Sequence, residues 1–107
     1  MEENKKSYYR VFFNILDSGN GLRRIETSTS LVFQTPALYL GTPHQIALFK
    51  KAAFEALKIT RKEMNSPYVF WESQIIYMGS ERIDAGIIEK LKIEFHEVVV
   101  GKDEWLS

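Results

Sequence analysis

The chain has 107 residues, the size of one domain, and two independently folded halves would each be short of core. Its 45% hydrophobic, 13% aromatic and 26% charged residues are a globular composition, so disorder is expected only in tails at about 1–7 and 101–107. Net charge is zero and cysteine is absent, which excludes disulfides, a thiolate nucleophile and a sulfur-ligated zinc site, and fits a reducing, cytoplasmic setting.

Met1 to Lys6 is charged and runs straight into Tyr8 and Tyr9, so no signal-peptide apolar region is read there. Nowhere do about 18 apolar residues run together, and no membrane partner is expected. From Tyr8 to Leu16 the sequence alternates, with Tyr9, Val11, Phe13 and Ile15 on one side and Tyr8, Arg10, Phe12, Asn14 and Leu16 on the other. This predicts a strand with one fully apolar face. DSGNG (Asp17 to Gly21) carries the Asn-Gly pair of a hairpin, and Leu22 to Phe33 reads as the return strand. Its polar stretch from Glu26 to Ser30 predicts an irregularity or a sheet edge. Pro36 breaks the pattern, and Leu38, Tyr39 and Leu40 form a short apolar piece that reads as an optional third strand.

Thr42, Pro43, His44 and Gln45 form a T-x-x-Q capping box with proline at the first helical position, where its missing N–H is no loss. A helix follows to near Met64, burying Ile46, Phe49, Ala53 and Leu57 and turning Lys51, Glu55, Lys58 and Lys62 outward. After Pro67, YVFWESQIIYMG reads as a central strand. Ser80 to Gly86 is ambiguous, with Ser80 able to cap a single helical turn. A helix through Ile83, Ile87, Ile88 and Leu91 competes with a strand from about Ile87, and Gly86 in its middle costs roughly 1 kcal/mol against alanine, which favours the strand. Trp105 and Leu106 are the apolar residues of the tail.

The order β-β-(β)-α-β-β, with a single long helix, excludes a parallel α/β architecture. It predicts an α+β fold, mostly β, as a small strongly curved sheet or barrel packed on the helix.

Basic and acidic residues are segregated along the chain. Lys5 to Lys62 holds ten basic residues against three acidic, a charge of +7, and Glu63 onward carries −5. Two outcomes are open: a basic face that steers a polyanion, or charges that pair across neighbouring strands. Arg10 shares a face with Tyr8 and Phe12, and Arg23 and Arg24 lie across the hairpin. Basic side chains beside exposed rings suit single-stranded RNA, with its phosphates on arginine and its unstacked bases on aromatic rings. The candidate RNA-binding residues are therefore Arg10, Arg23, Arg24, Tyr8 and Phe12, with Lys50, Lys51, Lys58 and Lys62 of the helix. The alternative packs Tyr8 and Phe12 under another element, or uses them to meet a protein or a second copy of the chain.

No catalytic signature is present, so a non-enzymatic protein with no cofactor and no metal is expected. Gly19 and Gly21 are turn residues rather than a phosphate loop. His44 belongs to the solvated start of the helix, and His96 with Glu94 and Glu97 lacks zinc-ligand spacing. Glu72 stands in an aromatic stretch, where a pairing with lysine at the solvent edge accounts for it.

The short aromatic strands, the capped helix TPHQIALFKKAAFEALK and the small cysteine-free chain resemble the PrgU-like proteins of pheromone-inducible conjugative plasmids in Gram-positive cocci. That resemblance implies a PUA-like fold, a curved barrel known as an RNA-binding scaffold. It also implies a regulatory role restraining expression of conjugation surface proteins.

Overall fold

The computed structural model describes residues 6–17, 24–63 and 72–107. Four strands, β1 (Ser7–Asp17), β2 (Arg24–Thr35), β3 (Ile75–Ile83) and β4 (His96–Glu97), form a mixed sheet in the order β3-β1-β2-β4. Helix α1 (Pro43–Glu63) is long, whereas α2 (Ala85–Leu91) and α3 (Lys102–Trp105) are short. The α+β class and the placement of two strands before the long helix are as read from the sequence. The sheet is open and does not close into a barrel.

β1 is central because it has antiparallel partners on both sides, β2 and β3. Its odd residues Tyr9, Val11, Phe13 and Ile15 are buried with Phe33, Ile75 and, from α1, Phe49 and Ala53. Each fully buried large apolar side chain contributes on the order of 1.5–3 kcal/mol, so this face holds α1 against the sheet. The β1–β2 register slips at Ile15/Leu16, where Thr27 and then Ile25 are the partners, leaving Glu26 as the extra residue. The irregularity thus falls within the polar stretch that predicted it. A second slip, at Phe12/Phe13, leaves Met78 unpaired in register beside Gly79, whose φ of +135° is a conformation other residues rarely adopt.

The start of α1 departs from the predicted capping box in one half. Thr42 Oγ1 accepts from the Gln45 N–H at 3.1 Å, as expected. The Gln45 side chain does not return to Thr42. It is fully buried: Oε1 accepts from the Leu40 N–H at 2.7 Å, and Nε2 donates to the carbonyls of Trp105 at 3.0 Å and Leu38 at 3.3 Å. Residues 36–42 therefore form no third strand and are held as an irregular segment. Trp105 is also fully buried, and its indole N–H donates to the carbonyls of Ala37 and Leu38 at 3.0 Å each. The predicted flexible tail at 101–107 is corrected accordingly. It folds as α3 and seals the end of the core, while at the other end Ser7 is already buried in β1.

The chain after Met78 also differs from expectation. β3 continues through Ser80 to Ile83, and a helix, not a strand, begins at Ala85. Asp84 is its cap, with Oδ1 accepting from the Gly86 N–H at 2.7 Å. Gly86 sits in the first turn, where it disrupts no helix interior, so the cost of a mid-helix glycine does not apply to it. Lys92 ends α2 in the left-handed conformation at φ 52°. The chain then reaches β4, which runs parallel to β2 at Phe33 and Gln34. The hairpin tip at 18–23 and the aromatic stretch at 64–71 lie outside the described residues.

Candidate nucleic-acid interface

Because side chains alternate along a strand, burying the odd residues of β1 under α1 turns Tyr8, Arg10, Phe12 and Asn14 to the opposite, outer face. Their register partners on that face are Gln34, Val32, Ser30 and Ser28 of β2, with Ile83, Glu81 and Gly79 of β3. The expectation that Tyr8, Arg10 and Phe12 share a surface therefore holds, but the three differ in access.

Tyr8 is half-buried. Its ring meets Phe95 edge-on at 5.1 Å and 84°, and its hydroxyl accepts from Gln34 Nε2 at 2.7 Å. The packed alternative thus describes Tyr8. Phe12 retains 39% of its surface exposed. It borders a shallow hollow of about 400 Å³ together with Asn14, Ser28, Ser30 and Met78. Ser28 Oγ donates to Asn14 Oδ1 at 2.8 Å on the floor of this hollow. Arg10 is half-buried, one rung from Phe12, and Glu81 is its register partner on β3.

The lysines do not join this surface. Lys50, Lys51 and Lys58 are on α1, which covers the other side of the sheet, and the Lys58 ammonium lies 5.9 Å from the Phe54 ring centroid. Arg23 lies outside the described residues, and Arg24 and Lys62 are described in their backbone only. Among the described side chains, Arg10 is the one predicted cation that stands beside the exposed ring, so the segregation of charge in sequence does not become a continuous basic face there.

Sequence reasoning passed over Asn14, Ser28 and Ser30, which read as an ordinary wet face. Their meeting follows from hairpin register, which puts Asn14 opposite Ser28. Met78 reaches the hollow through the bulge, a feature that alternation alone does not reveal.

The remaining polar candidates stay apart. His44 is exposed, with Nε2 3.0 Å from the Glu104 carbonyl, and His96 is exposed in β4. Glu72 opens an exposed 3₁₀ turn at Glu72–Gln74 instead of standing in a strand. Among the described residues, no three His, Cys, Asp or Glu side chains gather as metal ligands, and no helix is long and apolar enough to cross a membrane. On the inner face three phenols are linked: the Tyr39 N–H donates to Tyr9 Oη at 2.9 Å, Tyr39 Oη to Tyr77 Oη at 2.8 Å, and Tyr77 Oη to Ser80 Oγ at 3.1 Å. Burial, reinforced by the Tyr77 hydroxyl, raises the Tyr39 pKa well above that of a free phenol.

Compared with protein-family models, curated proteins and solved structures, the chain matches none.

Proposed function

We propose that this protein is a non-enzymatic RNA-binding regulator that takes a short single-stranded segment on the outer face of its sheet. The observation that carries the reading is the exposed Phe12 ring set among hydrogen-bonding side chains, Asn14, Ser28 and Ser30, with Arg10 one rung away. An unstacked base needs an aromatic face and polar groups for its edge, and a phosphate needs a cation. Successive outward residues are about 6.8 Å apart along a strand, so ring and guanidinium serve neighbouring parts of one strand of RNA. Glu81 opposite Arg10 offsets part of its charge, so stacking supplies more of the affinity than phosphate contact. The resemblance to the PrgU-like family points the same way, toward a cytoplasmic protein that restrains expression of conjugation surface proteins.

A second reading is favoured by the exposed apolar side chains Phe12, Met78, Ile87, Leu91 and Phe95, which suit a protein partner or a second copy of the chain. Fluorescence anisotropy with a labelled single-stranded oligoribonucleotide, titrated at several salt concentrations, separates the two. The RNA reading expects binding at low salt, and Arg10→Gln to lower the slope of log affinity against log salt by about 0.7. Absence of binding at low salt, where attraction is greatest, overturns it and leaves the protein-partner reading, checked by sedimentation for self-association.

A further inference from the structure

We infer that the groove between α1 and residues 96–100 docks an extended basic segment of a partner protein, at a site separate from the outer face of the sheet. The groove has a volume of about 380 Å³ and is walled by α1 itself. Its floor is apolar. Leu48 and Ala52 come from the helix, Val98 belongs to the buried core, and Val100 packs against that core. Val99 also lines the groove, yet it keeps 86% of its surface exposed, more than any other large apolar side chain among the described residues. An exposed valine beside an apolar floor is surface that a partner removes from water with a gain in free energy.

Charge selects the occupant. Three carboxylates, Glu55, Glu97 and Glu104, line the groove against one ammonium, Lys51, a formal charge of −2 with His96 neutral. All four side chains are exposed, and among the described residues none of them forms an ion pair. Such a lining attracts lysine or arginine and repels phosphate, so RNA is not what it holds. The backbone favours an extended segment. β4 is an edge strand, with β2 on one side and, among the described residues, no strand on the other. The Val98 N–H is spent on the Gln34 carbonyl at 3.0 Å, whereas the Val99 N–H donates to no group among the described residues. An open edge accepts a further strand, and alternate side chains of that strand enter the adjoining groove. The Val100 N–H closes a turn on the Val98 carbonyl at 3.0 Å, which keeps this edge short. Apolar contact and charge therefore supply more of the affinity than main-chain pairing.

The test titrates the full chain, at low salt, against a fluorescein-labelled short peptide of alternating lysine and valine, read by anisotropy. Two companion peptides change one property each: glutamate replaces every lysine, or serine replaces every valine. The lysine–valine peptide is expected to bind, with affinity falling as salt rises, and each companion to bind at least about tenfold more weakly. Replacing Glu55, Glu97 and Glu104 together by glutamine should weaken binding about tenfold, the scale of a few exposed ion pairs. Ala52→Leu fills the groove and should weaken binding at least as much. Circular dichroism checks both variants, and the triple variant, altered only at exposed positions, carries the test should Ala52→Leu not fold. Unchanged binding in the triple variant or in folded Ala52→Leu overturns the proposal, as does no binding of the lysine–valine peptide at low salt. Equal binding of either companion peptide overturns it too. Self-association of the wild type that the triple variant abolishes, measured by sedimentation, also overturns it, because a second copy would then be the occupant.

Discussion

Replacing Gln45 by alanine is expected to be far more damaging than removing the helix cap itself. In the wild type the Gln45 amide is fully buried and ties the start of α1 to two other segments, through the Leu40 N–H and the Leu38 carbonyl of one and the Trp105 carbonyl of the other. The Leu38 carbonyl keeps the indole N–H of Trp105 when the amide is removed. The Leu40 N–H and the Trp105 carbonyl lose the side-chain partner they have here. Each polar group left unpaired away from water costs about 1–3 kcal/mol, so for two groups the loss is roughly 2–6 kcal/mol before any cavity is counted. Thr42→Ala removes one cap hydrogen bond and should cost about 1 kcal/mol. Against a typical total stability of about 5–15 kcal/mol, the first change takes a large share and the second a small one. Urea titration followed by circular dichroism at 222 nm measures both, and tryptophan fluorescence in a Trp71→Phe background, where Trp105 is the one remaining tryptophan, reports whether α3 detaches along with the loss. If Gln45→Ala proves no more destabilising than Thr42→Ala, Gln45 acts as an ordinary capping-box residue and its three-way junction is refuted.

Gly79→Ala should destabilise by about 1 kcal/mol or more, since φ of +135° disfavours any side chain even though the space around the glycine is open. A neutral result in the same urea assay would mean that the bulge relaxes. The raised Tyr39 pKa favours the protonated phenol in the folded state, so its contribution is full below the unfolded value of 10.0 and is lost as pH rises through the higher folded value. Stability of the wild type should therefore fall above about pH 10, and less so in Tyr39→Phe; equal alkaline slopes for the two would refute this.

The faces of β1 were legible in the sequence because alternation is local: Tyr9, Val11, Phe13 and Ile15 read as core and are core. The start of α1 was legible for the same reason, through Thr42 and Pro43. The role of Gln45 was legible only in part, because a capping box describes four consecutive residues and its side-chain partners lie outside them, Leu38 and Leu40 just before the box and Trp105 sixty residues on. The helix at Ala85–Leu91 was masked by Gly86, whose cost depends on its place in the helix and so on where the cap lies. Asp84, not Ser80, supplies that cap. The burial of Trp105 depends on contacts with Tyr39 and Phe49 that no local pattern encodes. At the candidate site, Phe12 and Arg10 were visible through alternation, whereas Asn14 and Ser28 needed the hairpin register to bring them together.

Topology explains why two aromatic residues that look equivalent on β1 end in different roles. β3 stops at Ile83, the register partner of Tyr8, and β4 begins beside Phe33 and Gln34, the latter also a partner of Tyr8. Both ends of the β3-to-β4 crossing thus lie at the same end of the sheet. The connection passes over Tyr8, bringing Phe95 onto its ring and enclosing a hollow there with Ile88 and Ile93, and it leaves the Phe12 end uncovered. Tyr8→Ala should therefore cost about 2 kcal/mol of stability through lost packing against Phe95 and the lost Gln34 hydrogen bond. Its effect on RNA affinity, once corrected for the unfolded fraction, should be small. Phe12→Ala should cost about 1 kcal/mol of stability or less, because its partly exposed ring leaves less packing to lose. It should lower affinity for single-stranded RNA by about tenfold, the scale of one base stacked on an aromatic ring. Thermal melts and anisotropy on the two variants give both quantities, and an affinity loss in Tyr8→Ala equal to that in Phe12→Ala would refute the division of the face by the crossing chain.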